Sequence, residues 1–343
     1  MNLTTPWLGM TLKNPFVPSA SPLSRDVDAC RRLEDAGASA IIMYSLFEEE
    51  IAAEEEQLQH LWEFQDIGHT ETSSYLPTHH DYKTCEEAYL EQLAALKKAL
   101  DIPVVASLNG TTPEGWTGHA RDLEEAGADA LELNIYYVPT NMSESGQMVE
   151  DRYIEIIERV RQSTSIPLTV KLSQQFSSPG HFIKQIEGTG ADGVGLFNRF
   201  FHPDLDLEKL EITSVLTPSC PHDALLRLHW VALIRNRVKL SIGATGGIHD
   251  ATDVIKLLLA GADVTHLCTT LLLHGPERIQ EIEHGLAEWM ERNEYESVAQ
   301  MKGCVSQMNV TDPAAYERMN YMETLKSFGI CEEAGNRIFG FRR

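Results

Sequence analysis

Four times this chain closes a helix-spaced stretch with a small residue, Gly, Ala and then Asp or Ser, and runs directly into apolar residues. The copies are Ala36-Gly37-Ala38-Ser39 before Ala40-Ile41-Ile42-Met43 and Ala126-Gly127-Ala128-Asp129 before Ala130-Leu131-Glu132-Leu133. The pattern returns as Thr189-Gly190-Ala191-Asp192 before Gly193-Val194-Gly195-Leu196, and as Ala260-Gly261-Ala262-Asp263 before Val264-Thr265-His266-Leu267. Glycine ends a helix in left-handed backbone at little steric cost. A short, bounded apolar run reads as a strand buried on both faces. Helix, glycine stop and buried strand in repetition describe a parallel α/β protein, whose chemistry sits at the C-terminal ends of its strands.

Eight strands can be placed, at 14–20, 40–45, 103–108, 130–135, 167–172, 193–198, 240–245 and 264–269. Ser24 is expected to cap a helix with Asp26 and Asp28 in its first turn and Val27, Cys30 and Leu33 facing the core. Thr112-Pro113-Glu114 reads as an N-cap followed by Pro at the first helical position. Tyr153, Ile154, Ile157 and Val160 form one helical stripe, and Asp250 caps a helix that turns Val254, Ile255, Leu258 and Leu259 inward and stops at Gly261. Eight such alternations predict a single (β/α)8 TIM barrel with long loops at its catalytic face. The rival, an open doubly wound sheet, usually carries GxGxxG in its first strand–helix turn, and this chain has none. The connections after the second and sixth strands are the long ones. Residues 57–82, with Trp62, Phe64, His69, Tyr75, His79 and His80, are a candidate lid. Irregular spacing of these histidines and of His60 favours a surface loop, and no metal site is expected. Residues 1–304 make the barrel and 305–343 a helical C-terminal extension, expected to serve subunit contact in a homo-oligomer, a dimer.

A formal net charge of −23 counts against a nucleic-acid partner. The run Glu48-Glu49-Glu50 with Glu54-Glu55-Glu56 reads as a solvated helix face. No apolar stretch approaches membrane-spanning length and the first residues carry no signal-peptide pattern. Six scattered cysteines without a CxxC pair suit reduced thiols and a cytoplasmic location.

Ile242-Gly243-Ala244-Thr245-Gly246-Gly247-Ile248, with Leu267-Cys268-Thr269-Thr270 one strand later, falls where barrels bind phosphate. Gly246 and Gly247 permit close backbone approach and Thr269 adds a hydroxyl; the plainer reading is a tight turn. Lys171 interrupts a strand that should be buried, so it either pairs with an acid such as Glu132 or faces a bound anion, the reading favoured here. Asn134 and Asn198 end the fourth and sixth strands, where amides suit a planar heterocycle, although a lone strand-end Asn is commonly a turn residue.

Taken together, these segments resemble the dihydroorotate dehydrogenase family of FMN-dependent barrels, in its soluble branch. Asn14-Pro15-Phe16-Val17-Pro18-Ser19-Ala20-Ser21 resembles the family's first strand, and Ile41-Ile42-Met43-Tyr44-Ser45 its second. Leu131-Glu132-Leu133-Asn134, Val170-Lys171-Leu172, Thr245-Gly246-Gly247-Ile248 and Gly275-Pro276 resemble further family segments. The resemblance implies FMN as cofactor, its phosphate on Gly246, Gly247, Cys268 and Thr269, its ring over Ser19, Ala20 and Ser21, and Lys171 at its pyrimidine edge. It implies Asn134 and Asn198 as substrate contacts, oxidation of dihydroorotate to orotate in pyrimidine biosynthesis, and a redox partner protein. Three positions depart from the family. Tyr137 stands at the catalytic-base position, with Ser143 and Ser145 as reserves on the same loop. Tyr44 stands where a Lys is expected, and Arg199 follows Asn198 where a small hydroxyl is expected. The flavin shell is thus retained and the pyrimidine shell altered. Alternatives are a flavoprotein oxidising another small anionic molecule recognised by Arg199, a non-redox phosphate-binding barrel enzyme, and a non-catalytic subunit docking through 312–328.

Overall fold

The computed structural model describes residues 1–54, 56, 84–112 and 116–327. The lid candidate 57–82, Pro113-Glu114 and the end of the C-terminal extension lie outside the described residues.

A hairpin opens the chain, β1 (Thr5–Trp7) and β2 (Met10–Leu12), turned through left-handed backbone at Leu8 and Gly9. Its strands are too short to announce themselves by alternation, so sequence reasoning missed it. Trp7, Leu8 and Leu12 pack on Val17, Ile42, Val105, Ala130 and Val264, plugging the end of the barrel opposite the catalytic face. Next come β3 (Phe16–Pro18), β4 (Ile41–Phe47), β5 (Val104–Asn109), β6 (Ala130–Asn134), β7 (Leu168–Leu172) and β8 (Gly193–Leu196). A hairpin of β9 (Asp204–Asp206) and β10 (Glu211–Thr213) stands in the long connection before β11 (Ser241–Thr245) and β12 (Val264–Leu267). The eight barrel strands follow the order β3-β12-β11-β8-β7-β6-β5-β4 and every ladder is parallel. Between β3 and β4, Ser39 closes the ring: its N–H and hydroxyl both donate to Phe16 O, at 3.0 Å.

The repeat that predicted the barrel also sets its register. The four repeat glycines have φ of +110 (Gly37), +97 (Gly127), +85 (Gly190) and +127° (Gly261), the region that favours glycine. The Asp two residues later reaches sideways to the preceding barrel strand. Asp129 Oδ2 accepts from Val104 N at 2.7 Å, Asp192 Oδ2 from Leu168 N at 2.9 Å, and Asp263 Oδ2 from Ile242 N at 2.8 Å. Each such carboxylate satisfies a strand-end donor that no ladder reaches.

Around the barrel run α1 (Val27–Asp35), α2 (Cys85–Ala99), α3 (Thr117–Glu125), α4 (Gly146–Ser163), α5 (Pro179–Gly188), α6 (Ala224–Ile234), α7 (Ala251–Ala260), α8 (Thr269–His274) and α9 (Arg278–Arg292). Asp250 caps α7 as expected, accepting from Thr252 N and Asp253 N. The cap of α1, however, is Asp26, which accepts from Asp28 N; Ser24 sits in a preceding 3-10 turn. There the Ser24 hydroxyl donates to Ser21 O and accepts from Tyr44 N at 2.7 Å, so it is spent on tying this turn to β4. The short α10 (Val298–Met301) ends just before residue 304; beyond it Val305 N and Gln307 N donate to Leu259 O and Ala232 O, and the chain continues to α11 (Arg318–Ser327).

Candidate active site

Where the barrel strands end, a cavity of about 730 Å³ opens, a volume suited to a cofactor with a small ligand beside it. One wall is main chain. At the end of β11, Gly246 and Gly247 have φ of +99 and +79°, and an added Cβ at Gly247 would run into the start of α6. Thr245, both glycines, Cys268 and Thr269 line this wall. Ser219, which nothing in the sequence singled out, lines it too: its hydroxyl donates to Thr269 Oγ1 at 2.9 Å and lies 3.3 Å from His249 Nε2. Left-handed glycines beside hydroxyls form a concave cup for an anion. Burial raises the Cys268 thiol above its ordinary range, with Lys171 opposing that, so the group beside the cup stays a neutral thiol.

The floor is polar and enclosed. Ser45 and Ser107 share a hydrogen bond at 2.9 Å, Ser107 Oγ donates to Glu132 Oε1 at 3.3 Å, and Lys171 Nζ lies 3.5 Å from the same oxygen. Glu132 is fully buried and Lys171 is 7% exposed. Lys171 thus pairs with Glu132, and it also lines the cavity with donors to spare. Next to it stands His266, 2% exposed, with neither ring nitrogen hydrogen-bonded among the described residues and its ring edge-on to Trp7 at 5.8 Å. Burial, and then the Lys171 ammonium, push its pKa down to about 3, so the imidazole is neutral. Gly243 makes the ring's place, since a Cβ there would lie 2.7 Å from it. Two unpaired nitrogens, each with almost no exposed surface, are costly to bury.

The opposite wall is side chain. Asn198 Nδ2 donates to Asn134 Oδ1 at 2.6 Å, which among the described residues leaves the Asn134 amino group and the Asn198 side-chain carbonyl available to a ligand. Ser19 and Ala20 also line the cavity, whereas Ser21 does not; its backbone carbonyl accepts from the Ser24 hydroxyl. Arg199 lies at the mouth, its guanidinium 5.6 Å from the Phe201 ring and donating to Thr217 O. Tyr44 faces away from the cavity, beneath Arg25 at 4.2 Å and against Tyr89.

Tyr137 is also turned away. Its hydroxyl donates to Glu144 Oε2 at 2.6 Å, and its ring lies under Arg152, which itself pairs with Glu144 at 2.6 Å. The neighbour, Tyr136, lines the cavity instead, its ring against Phe200 and its oxygen accepting from Phe201 N at 3.1 Å. Ser145 caps α4 and Ser143 is exposed, so neither reserve reaches the cavity. The acidic run is more than a solvated face. Glu48 accepts from Thr111 N and Thr112 N at 2.8 and 3.1 Å, Glu54 accepts from Cys85 N at 2.8 Å, and Glu49 and Glu50 stand at the mouth.

Left-handed glycines, a buried ammonium on the floor and paired amides opposite meet at the strand ends of a (β/α)8 barrel, an arrangement suited to an anionic ligand. The sequence profile of dihydroorotate dehydrogenase matches residues 64–290. The chain belongs to the dihydroorotate dehydrogenase family, flavin-dependent oxidoreductases acting on a CH–CH bond. It is similar to the catalytic subunit of dihydroorotate dehydrogenase B (NAD(+)) of Pyrococcus abyssi, 31% identical over 222 residues, 63% of this chain and 73% of the relative. Catalytic subunits of the same description from Desulforamulus reducens and Methanothermobacter thermautotrophicus are 27% and 25% identical over 223 and 225 residues, covering 62% and 63% of this chain and 72% and 73% of theirs. Among the described residues no helix is long and apolar enough to cross a membrane.

Proposed function

We propose that this cavity binds FMN and that the protein oxidises a small cyclic or planar anionic substrate, with dihydroorotate the first candidate. The observation that carries the reading is the pairing of the Gly246-Gly247 cup with Lys171 and unpartnered His266 across one cavity. The cup fits a phosphate because left-handed glycines bring main-chain N–H groups to it with no side chain in the way. Gly246, Gly247, Ser219 and Thr269 would hold the phosphate, and Ser19, Ala20, Lys171 and His266 the ring. When bound, the flavin supplies an acceptor for a hydride. The chain's own share is electrostatic and steric. The Lys171 ammonium, in low-dielectric surroundings, favours negative charge developing on whatever lies above it. The Asn134–Asn198 pair orients a ligand that both donates and accepts, and Arg199 suits a carboxylate at the mouth.

The activity for which these relatives are named makes dihydroorotate the substrate to try first. A second reading keeps the flavin and changes the substrate, and the position of Tyr137 favours it. A proton acceptor tied to Glu144 and Arg152 outside the cavity cannot serve a ligand inside it without the loop turning over. A homo-oligomer, a cytoplasmic location and a protein electron acceptor belong to the same proposal. Two measurements test it. The purified protein should show flavin absorbance, and heat-released pigment should be FMN. Anaerobic addition of dihydroorotate should then bleach it; a yellow protein that stays yellow removes dihydroorotate and leaves the flavin reading standing.

A further inference from the structure

Beneath the cup lies a cation that the cup's own chemistry does not use. Arg227, on α6, is 5% exposed, and its guanidinium is spread over three main-chain carbonyls. Nε donates to Thr245 O at 2.9 Å, Nη1 to Asp223 O at 2.9 Å and Nη2 to Phe197 O at 3.2 Å. Among the described residues it has no carboxylate within ion-pair distance. The charged groups acting on it are Asp223, whose carboxylate accepts from Cys220 N at 2.9 Å, and Arg199, which adds positive charge. Burial accordingly lowers its pKa from the ordinary value. Carbonyls satisfy the donors of a guanidinium but leave its net charge standing, and an unneutralised buried charge is costly. That charge lies directly against the turn: Arg227 Nη2 is 3.1 Å from the point a Cβ on Gly246 would occupy.

We propose that Arg227 is a positioning residue for the anion in the cup: it anchors the end of β11 through Thr245 O, and its charge acts through the Gly246 turn on the bound phosphate, which is its missing counter-charge. This rests on the cup reading given above. Arg227 does not touch the ligand. A side chain only one backbone layer away, in a medium of low dielectric, still contributes strongly to an anion's binding. A purely structural arginine, tying the ends of β8 and β11 to the start of α6, would make the same three hydrogen bonds and have no effect specific to phosphate.

The experiment compares FMN with riboflavin, which lacks the phosphate, on apo-protein of the wild type, Arg227→Gln and Arg227→Lys, by fluorescence quenching. Inorganic phosphate alone serves as the second probe, read as a shift in melting temperature. The wild-type preference for FMN over riboflavin should fall about tenfold or more in Arg227→Gln and be largely kept in Arg227→Lys, with riboflavin affinity little changed in either. An unchanged preference in Arg227→Gln overturns the proposal. Should that variant fail to fold, Arg227→Lys carries the test. Burial lowers a lysine's pKa below its ordinary ~10.4, so the phosphate-induced shift of this variant should weaken more than the wild type's between pH 7 and about 9.5. Parallel pH profiles overturn the proposal. Failure of the flavin reading is separately visible: a wild type stabilised by inorganic phosphate yet taking up no flavin refutes FMN, while loss of the phosphate shift in Arg227→Gln still supports the role of Arg227.

Discussion

Along β11 and β12 the cavity wall is main chain: two left-handed glycines, a packed helix start behind them and a buried guanidinium beneath. Across the cavity, around the ends of β4, β6 and β8, the wall is side chain. Asn134 and Asn198 pair with each other, Tyr136 leans on Phe200, Arg199 leans on Phe201, and Glu49 and Glu50 stand exposed at the rim. The first wall is built from backbone geometry, which most substitutions would break, and it can hold only a generic group such as a phosphate. The second is built from replaceable tips, and there this chain departs from the family pattern at Arg199. One barrel can therefore keep a cofactor while its substrate changes, because the two jobs lie on walls with different tolerance for substitution.

The strongest test of this contrast lies between the walls. Lys171→Met should slow reduction of the bound flavin by about a thousandfold, as loss of a preorganised charge does, while the protein stays yellow; stopped-flow bleaching against flavin content separates the two effects. A colourless Lys171→Met protein would show that the floor, and not the cup, holds the cofactor. Next in size, Gly247→Ala forces a left-handed Cβ into the start of α6, with strain and overpacking of roughly 2–5 kcal/mol in all. It should leave the purified protein nearly flavin-free, read from its visible-to-ultraviolet absorbance ratio. If the alanine variant keeps its flavin, the main-chain wall is not what grips it.

His266 tests the floor itself. Its folded pKa, about 3, lies below the ordinary 6.5, so the unfolded chain takes up the proton first. The resulting stability is full above pH 6.5 and is lost as pH falls toward 3. Between pH 7 and pH 5 apo wild type should lose about 2 kcal/mol more than His266→Gln, as measured by urea midpoints. Equal losses would mean that the imidazole is not held neutral. The smallest effect is expected at Tyr137→Phe, which removes a hydrogen bond to Glu144 outside the cavity. It should cost about 1 kcal/mol in stability and change the flavin reduction rate by no more than about threefold, the scale of one exposed-side hydrogen bond. A hundredfold loss would show that the 135–145 loop turns inward in the working enzyme and would erase the contrast between the walls.

Much of this was legible in one dimension because its causes are local. A glycine that ends a helix, an Asp two residues on and an apolar run are features of adjacent residues, so four repeats and eight strands could be read in order and the barrel inferred from their count. The Gly246-Gly247 cup was legible for the same reason, since left-handed backbone is a property of the residues themselves. Sequence alone could not decide which of two neighbouring tyrosines lines the cavity, because the β6–α4 loop is not a strand and obeys no period. It placed Tyr137 at the base position, and the fold spent that hydroxyl on Glu144. Nor could it find Ser219, Arg227 or the anchoring by Glu48, which reach their partners across gaps of 18–64 residues set by how loops pack on the finished barrel. Backbone conformation is written into neighbouring residues; the direction in which a loop side chain points is decided only once distant elements have taken their places around it.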